Sequence, residues 1–292
     1  MSDGRRRRLL TLALASIIPG LAGCGEAPRS PLDERLLAIA DPQAAEVLSA
    51  TFEAYGGYAA WSRRSHVEYT YRLEFYGGQK SPQKITRQRH RLGLGAVEQV
   101  YLEDLDVPVP QIVRMDGEAL EVTRGGTPLA DPADLDFPRA FGQITRFAFM
   151  NPWNLIDPQC RLEFRGERTP IGPGGVPAGP CVVIRVRFDR GGKEGESTDW
   201  QDFYISRLSH LVDRIHSYRA EDADYRVVVW SDHRMFDDLR IATRRETYSS
   251  DASGVLGTLE VVAGYSDVLF DAPFPNDPFR IAKPLAATAS RE

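Results

Sequence analysis

The chain is poor in the residues from which active centres are most often built. Its 292 residues include three cysteines and five histidines, and the histidines, at 66, 90, 210, 216 and 233, are scattered. No Gly-x-Ser-x-Gly, no His-Glu-x-x-His, no phosphate-cradling glycine loop and no zinc-spaced Cys/His set occurs. These absences remove the commonest signatures of hydrolases, zinc proteases and nucleotide-binding enzymes. Ser231-Asp232-His233 holds the residue types of a hydrolytic triad, but consecutive strand residues point to opposite faces and cannot form the relay. The acidic groups Glu221-Asp222-Asp224 and Asp237-Asp238 lack the ligand spacing and turn glycine of a calcium loop. Glu194, Glu196, Asp199 and Asp202 have nothing beside them to orient a carboxylate pair. No metal, cofactor or catalytic residue is therefore expected. Nor is there an interior low-complexity linker or a repeat, which favours one domain.

What is present begins at the N-terminus. Four arginines, Arg5 to Arg8, precede an apolar run from Leu9 to Pro19 and then Leu21-Ala22-Gly23-Cys24. A charged segment, an apolar segment and small residues follow one another in the order of an export signal. The apolar run falls short of the ~20 residues that a spanning helix needs, so it reads as a signal to be removed. Leu21-Ala22-Gly23-Cys24 resembles the lipobox of bacterial lipoproteins, which implies cleavage after Gly23 and lipidation of Cys24. Gly25 in place of aspartate implies, by the same resemblance, the outer membrane, facing the periplasm. Residues 24–41 then read as a lipidated tether carrying a short helical piece, 42–285 as the folded domain, and 286–292 as a disordered tail.

Residues 1–23 hold four arginines and one aspartate, so their loss takes the net charge from −5 to −8. An acidic exterior disfavours nucleic acid and anionic membrane surfaces as partners, and a monomer is expected. Two cysteines, Cys160 and Cys181, remain in an oxidising compartment, which makes them a candidate disulfide. Strand alternation points the other way. If 160–167 and 181–188 form a hairpin, the two cysteines begin its strands at opposite ends and face opposite sides.

Helical spacing predicts a helix over 43–55, stopped by Gly56-Gly57, and a second over 58–64. From residue 67 strands dominate. Residues 67–75 alternate apolar and polar without a slip, and further strands are expected at 84–94, 97–103, 112–115, 119–123, 161–167, 182–188, 199–205, 211–218, 225–236, 240–249 and 257–269. Short turns between them imply an antiparallel meander, and about eleven strands in one sheet must curl or close. The exception lies between Phe137 and Trp153, where Phe137, Phe141, Ile144 and Ala148 recur at helical spacing; a helix bounded by Pro138 and Pro152 is predicted. Its apolar residues lie on more than one face, so it must be covered on both sides or expose a patch that binds.

Aromatic and apolar content is the remaining lead. The expected fold is mainly β (α+β): one antiparallel sheet that curls or closes, with the central helix laid across its concave side. A curled sheet of this size does not fill its own concave side, so the helix is read as a lid over an apolar cavity. The candidate lining is Tyr69, Tyr71, Leu73, Phe75, Ile184, Val186 and Phe188 from the sheet, with Phe141, Ile144, Phe147 and Trp153 from the lid.

Three segments carry a resemblance that covers most of 43–283. Tyr55-Gly56-Gly57-Tyr58-Ala59-Ala60-Trp61 after a helix and before a strand resembles the opening of LolA/LolB-like lipoproteins, in particular their uncharacterised bacterial relatives. The run Asp202 to Ile215 and the stretch Tyr225 to Glu246 resemble two of their hairpins. The chain departs from that pattern around Asp237-Asp238 and Ala242, and adds a rigid loop at 170–180. The resemblance implies a single strongly curved, unclosed antiparallel sheet, a half-barrel of about eleven strands, with the N-terminal helices and the central helix covering its concave face. It implies binding of acyl chains or whole lipoproteins without catalysis. An anchored chain cannot shuttle, so an acceptor, sensor or lipid-handling role is expected rather than a carrier. The rival expectations are a structural or protein-interaction lipoprotein with a filled core, and a hydrolase of unfamiliar type.

Overall fold

The structure, a computed structural model, describes residues 30–188, 199–274 and 276–281. Gly23 and Cys24 lie outside the described residues. In chain order the elements are α1 (Pro31–Ala38), α2 (Pro42–Ala54), α3 (Tyr58–Ser62), β1 (His66–Phe75), β2 (Lys84–Gly93), β3 (Gln99–Asp104), β4 (Gln111–Asp116), β5 (Ala119–Arg124) and β6 (Thr127–Pro128). The helix α4 (Pro132–Met150) and a 3-10 turn (Trp153–Ile156) follow, and then β7 (Cys160–Arg168), β8 (Cys181–Phe188), β9 (Trp200–Ser206), β10 (Val212–Arg219), β11 (Asp224–Phe236), β12 (Leu239–Ser250) and β13 (Leu256–Phe270).

The 13 strands of the described residues form one antiparallel sheet in the order β6-β5-β4-β3-β2-β1-β13-β12-β11-β10-β9-β8-β7. Two meanders run in sequence and meet where β1 pairs with β13. The sheet is unclosed, so β6 and β7 are its opposite edges, yet they are consecutive strands in the chain. The link between them must cross the whole sheet. The 19 residues of α4 supply much of that link, about 28 Å of it. α4 packs on β3, β4 and β5, and its last turn reaches Arg245 on β12, so it lies over the concave face.

The expected helix over 137–153 starts earlier than its prolines suggest. Asp131 accepts from the Ala133 amide at 3.0 Å, and Pro132 stands at the first helical position, where its missing N–H costs nothing. Pro138 lies inside the helix. The row that packs on the sheet is Pro138, Gly142, Thr145 and Phe149, one step round from the predicted apolar row. Gly142 is what lets the helix settle: a Cβ there would lie 2.7 Å from Met115 Sδ and 3.5 Å from Val100 Cγ1.

The segment read as a tether is partly docked. Ser30 and Asp33 form a capping box at the start of α1, Leu32 and Ile39 enter the core, and the Arg35 guanidinium donates to the Cys160 carbonyl. Asp41 caps α2, accepting from the Gln43 and Ala44 amides at 3.0 and 3.2 Å. Its other oxygen accepts from the Phe164 amide at 2.9 Å, which satisfies a donor of the edge strand β7 and holds its carboxyl below the usual range. Gly56, at φ +110°, makes the closest backbone approach: a Cβ would stand 2.0 Å from the Asp238 carbonyl oxygen. That approach explains the glycine pair in the Tyr55 to Trp61 segment. It also lets the Tyr55 hydroxyl accept from the Val212 amide at 3.3 Å while Arg240 donates its amide to the Tyr55 carbonyl at 3.0 Å.

Candidate functional site

Strand register turns the concave face into rows of side chains. One row crosses four strands as Trp230, Arg245, Ala263 and Leu73, each opposite the next. The adjacent row, one pleat repeat nearer the rim, is Val228, Thr247, Val261 and Phe75. The inner row is buried, and the rim row is half-buried, with Phe75 exposed. The stretch of concave face between α4 and this half-buried apolar row is termed the furrow.

One flank of α4 overlooks the furrow. Phe137, Phe141, Ile144 and Ala148 repeat at four- and three-residue intervals along it; Phe137 is 73% exposed and Ile144 64%. Phe137 stacks on Phe141 at 5.8 Å, and Phe141 meets His90 edge-on at 6.3 Å. From there rings run inward: His90 to Tyr71 at 4.7 Å, then Tyr71 to Tyr265 at 5.1 Å. The path ends on Arg245, whose guanidinium lies 5.0 Å from the Tyr265 centroid and 4.1 Å from that of Trp230. A continuous aromatic surface thus leads from solvent to a buried cation.

Burial lowers His90 to about 3 and pushes the Tyr69 and Tyr71 hydroxyls well above the usual tyrosine range. His90 lies 3.2 Å from the Tyr69 hydroxyl and 2.9 Å from Gln88 Oε1 through its two ring nitrogens. Arg245 Nη1 donates to the Ala148 carbonyl in the last turn of α4 at 2.5 Å. Among the described residues no carboxylate lies within ion-pair distance of Arg245.

The other end of the concave face is filled. Trp153 is sandwiched between Phe52 at 4.9 Å and Trp61 at 5.2 Å, all three rings nearly parallel. Ile184 and Val186 are fully buried in this core. Of the predicted lining, Tyr69, Tyr71 and Leu73 are buried, Tyr69 stacked on Phe149 of α4 at 4.9 Å, and Phe141 is half-buried. Phe75 stands in the rim row, Ile144 on the exposed flank of α4, and Phe147 is half-buried elsewhere on that helix. Trp153, Ile184 and Val186 belong to packed core. Phe188 closes β8, and its side chain lies outside the described residues.

Other candidates resolve into structural roles. Cys160 pairs with Phe188, and Cys181 with Arg168, at opposite ends of the β7–β8 hairpin. Both thiols are free and buried, which corrects the compositional expectation of a disulfide. Burial first, and a neighbouring aspartate second, push each up to about 12, far from a reactive thiolate. His233 faces the Tyr55 hydroxyl at 3.3 Å, and Asp232 between it and Ser231 adopts φ 53°, so the three residues form no relay. Asp224 pairs with Arg226 at 2.7 Å and Asp238 with Arg63 at 2.7 Å. Asp202 is held by Arg185 at 2.7 Å, while Glu194 and Glu196 lie outside the described residues. Among the described residues no cluster suited to a metal ion occurs, and no helix is long and apolar enough to cross a membrane. A cavity of about 490 Å³ lies on the convex face, lined by Arg91, Tyr101, Arg114 and Glu121 under Asn276–Arg280. Its strand arginines are already neutralised, Arg91 by Glu68 and Arg114 by Glu121.

Sequence reasoning missed Arg245, Trp230 and Tyr265. A signal was there: Arg244 and Arg245 are adjacent in a strand, so one of them must point inward. Arg244 points out and pairs with Glu246 at 2.6 Å; Arg245 takes the inner slot.

The chain shares with solved structures the fold of an unclosed antiparallel sheet with a helix laid across its concave face. It is similar to a domain described as outer membrane lipoprotein-sorting from Vibrio parahaemolyticus, with a TM-score of 0.51 at 10% identity over 82% of this chain and 96% of that one. A LolA superfamily protein from Nitrosomonas europaea aligns with a TM-score of 0.48 at 11% identity, over 79% and 94% of the two chains. A DUF1329 family protein from Desulfovibrio piger gives 0.45 at 12%, over 86% and 98%. No protein-family model matches the chain, and no curated protein matches it by sequence.

Proposed function

We propose that this is an envelope lipoprotein, anchored through Cys24 after removal of residues 1–23, that binds a lipid acyl chain in the furrow beside α4. It acts without catalysis, at the outer membrane facing the periplasm. The observation that carries the reading is the apolar flank Phe137-Phe141-Ile144, left exposed above a half-buried apolar rim. Large side chains are exposed at a cost, and a contiguous row of them marks a binding surface. At about 25 cal/mol per Å², covering 200–300 Å² of it would contribute some 5–7 kcal/mol before association costs, enough for weak to micromolar binding. The similarity to a lipoprotein-sorting domain supports the same reading through its fold.

The packed end of the concave face favours a second reading, a structural or interaction lipoprotein with a filled core. One experiment separates them. The chain from Gly25 onward, which carries every described element, is purified without detergent, extracted with solvent and analysed by mass spectrometry, then titrated with a fluorescent fatty acid. Co-purifying lipid or saturable uptake supports binding. Absence of both rejects it in favour of the filled core.

A further inference from the structure

Arg245 is an arginine with nothing to neutralise it. It is 5% exposed, sits in the middle of the concave face, and is sandwiched by Trp230 and Tyr265. Its one hydrogen bond is the Nη1 donation to the Ala148 carbonyl, and its Nε is buried without an acceptor. Two neighbours share that condition. Trp230 Nε1 is a buried donor with no partner, and the Tyr265 hydroxyl, which has the Tyr71 hydroxyl beside it, makes no hydrogen bond of normal geometry. Three polar side chains on neighbouring strands, all at least nine-tenths buried and all short of a well-formed partner, are costly in a finished core. On the convex face Arg91, Arg114, Arg185 and Arg244 each meet a carboxylate; Arg214, buried like Arg245 with its Nε unpartnered, instead donates to the Ile171 carbonyl, without a second unpartnered donor of a neighbouring aromatic beside it.

The carbonyl end of α4 offsets part of the charge, since a helix C-terminus carries about half a negative charge. The remainder is unmatched. The guanidinium edge formed by Nε and Nη2 carries no bond among the described residues, and that edge receives a carboxylate or phosphate through two parallel bonds. Arg245 also lies one pleat repeat, about 7 Å, inside the rim row of Val228, Thr247 and Val261. An anion entering over that rim would meet the free edge of Arg245 while an attached apolar chain still lay on the rim and against Phe141 and Ile144.

The geometry points to an acidic headgroup: the furrow takes a single-chain amphiphile whose anionic end, carboxylate or phosphate, is bound by Arg245 with Trp230 Nε1 and the Tyr265 hydroxyl as further donors. This rests on the acyl-binding reading and specifies it. It makes the preference electrostatic, so a neutral chain of the same length binds less well.

The test is a comparison of oleate, oleoyl lysophosphatidate and oleyl alcohol, each below its aggregation threshold, competing for a fluorescent fatty acid on the chain from Gly25 onward. Oleate, lysophosphatidate or both are expected to bind at least about tenfold more tightly than the alcohol, and the tighter of the two anions identifies the headgroup. Arg245→Met is expected to reduce the anion-to-alcohol ratio below about twofold while alcohol binding persists. Trp230→Phe, which removes the N–H together with the pyrrole half of the indole and keeps an aromatic ring, is expected to lower anion affinity several-fold while alcohol binding persists, and serves where Arg245→Met fails to fold. Equal binding of all three ligands by the unaltered chain would overturn the headgroup assignment and leave acyl binding standing. A preference that survives Arg245→Met in a folded protein would also overturn it. If none of the three binds, both readings fall.

Discussion

Under α2 and α3 the aromatic rings lie face to face, whereas beside α4 they trail outward into solvent. The first region is Phe52, Trp153 and Trp61, stacked at 4.9 and 5.2 Å over the buried Ile184 and Val186. The second is the path from Phe137 through Phe141, His90 and Tyr71 to Tyr265. Both are concave surfaces of the same sheet under helices of the same chain. They differ in what the helices bring. α2 and α3 are docked by Asp41, Tyr55 and the close approach of Gly56, and their rings complete a core. α4 is docked by a row with small members, Gly142 and Thr145, and carries its large rings on the neighbouring flank. One region spends its aromatics on stability; the other holds them where a ligand can reach them.

That division is broken most forcefully by Trp153→Ala. Emptying a fully packed stack should destabilise the protein by about 3–5 kcal/mol, measured by urea unfolding, while the protein that remains folded binds fatty acid as before. Loss of affinity in the folded fraction would mean that the two regions are not separate.

The middle of the ring path responds to acid. His90 is neutral with its proton affinity lowered to about 3 by burial, whereas an unfolded histidine titrates near 6.5. Below about pH 6.5 the unfolded chain takes up a proton that the folded one refuses, so stability present above that pH is lost as pH falls toward 3. His90→Gln should therefore flatten the stability profile by about 1.4 kcal/mol per unit between about pH 6 and pH 4. His233, lowered to about 4, contributes the same sign and remains in the variant. An unchanged slope would place His90 in contact with water.

The smallest effect on stability belongs to Ile144→Asp, on the exposed flank. A change at a side chain 64% exposed should cost no more than about 0.5 kcal/mol yet weaken fatty-acid uptake about tenfold, the affinity equivalent of roughly 1.4 kcal/mol. A large loss of stability would mark the flank as part of the core.

Much of this was legible from residue patterns. Alternation over 67–75 and the turn residues between later strands were sufficient for an antiparallel meander that must curl or close, and the run from Phe137 to Trp153 announced a helix with two apolar sides. The helix start was misjudged because Pro138 was taken as a boundary, when Asp131-Pro132 provides the better cap. The orientation of α4 was not readable from hydrophobicity, because its sheet-facing row contains glycine and threonine, and the most apolar row faces the furrow. Alternation alone separated Cys160 from Cys181, although composition argued for joining them. Trp153, Ile184 and Val186 have the same composition as a cavity wall; only packing against Phe52 and Trp61 distinguishes filled core from open furrow. Arg245 was hidden because an arginine in a strand rich in arginine reads as solvent-facing until register fixes its side.

The central claim, that an acyl chain lies in the furrow and not elsewhere on the sheet, is tested most directly by photo-crosslinking. A fatty acid bearing a diazirine near its methyl end is irradiated on the protein, and the modified peptides are located by mass spectrometry. Labelling concentrated on α4 around Phe141 and Ile144 and on the rim strands at Val228 and Val261 is the predicted result. Labelling at the convex cavity around Arg91 and Arg280, or none above that of an unrelated protein, would contradict it.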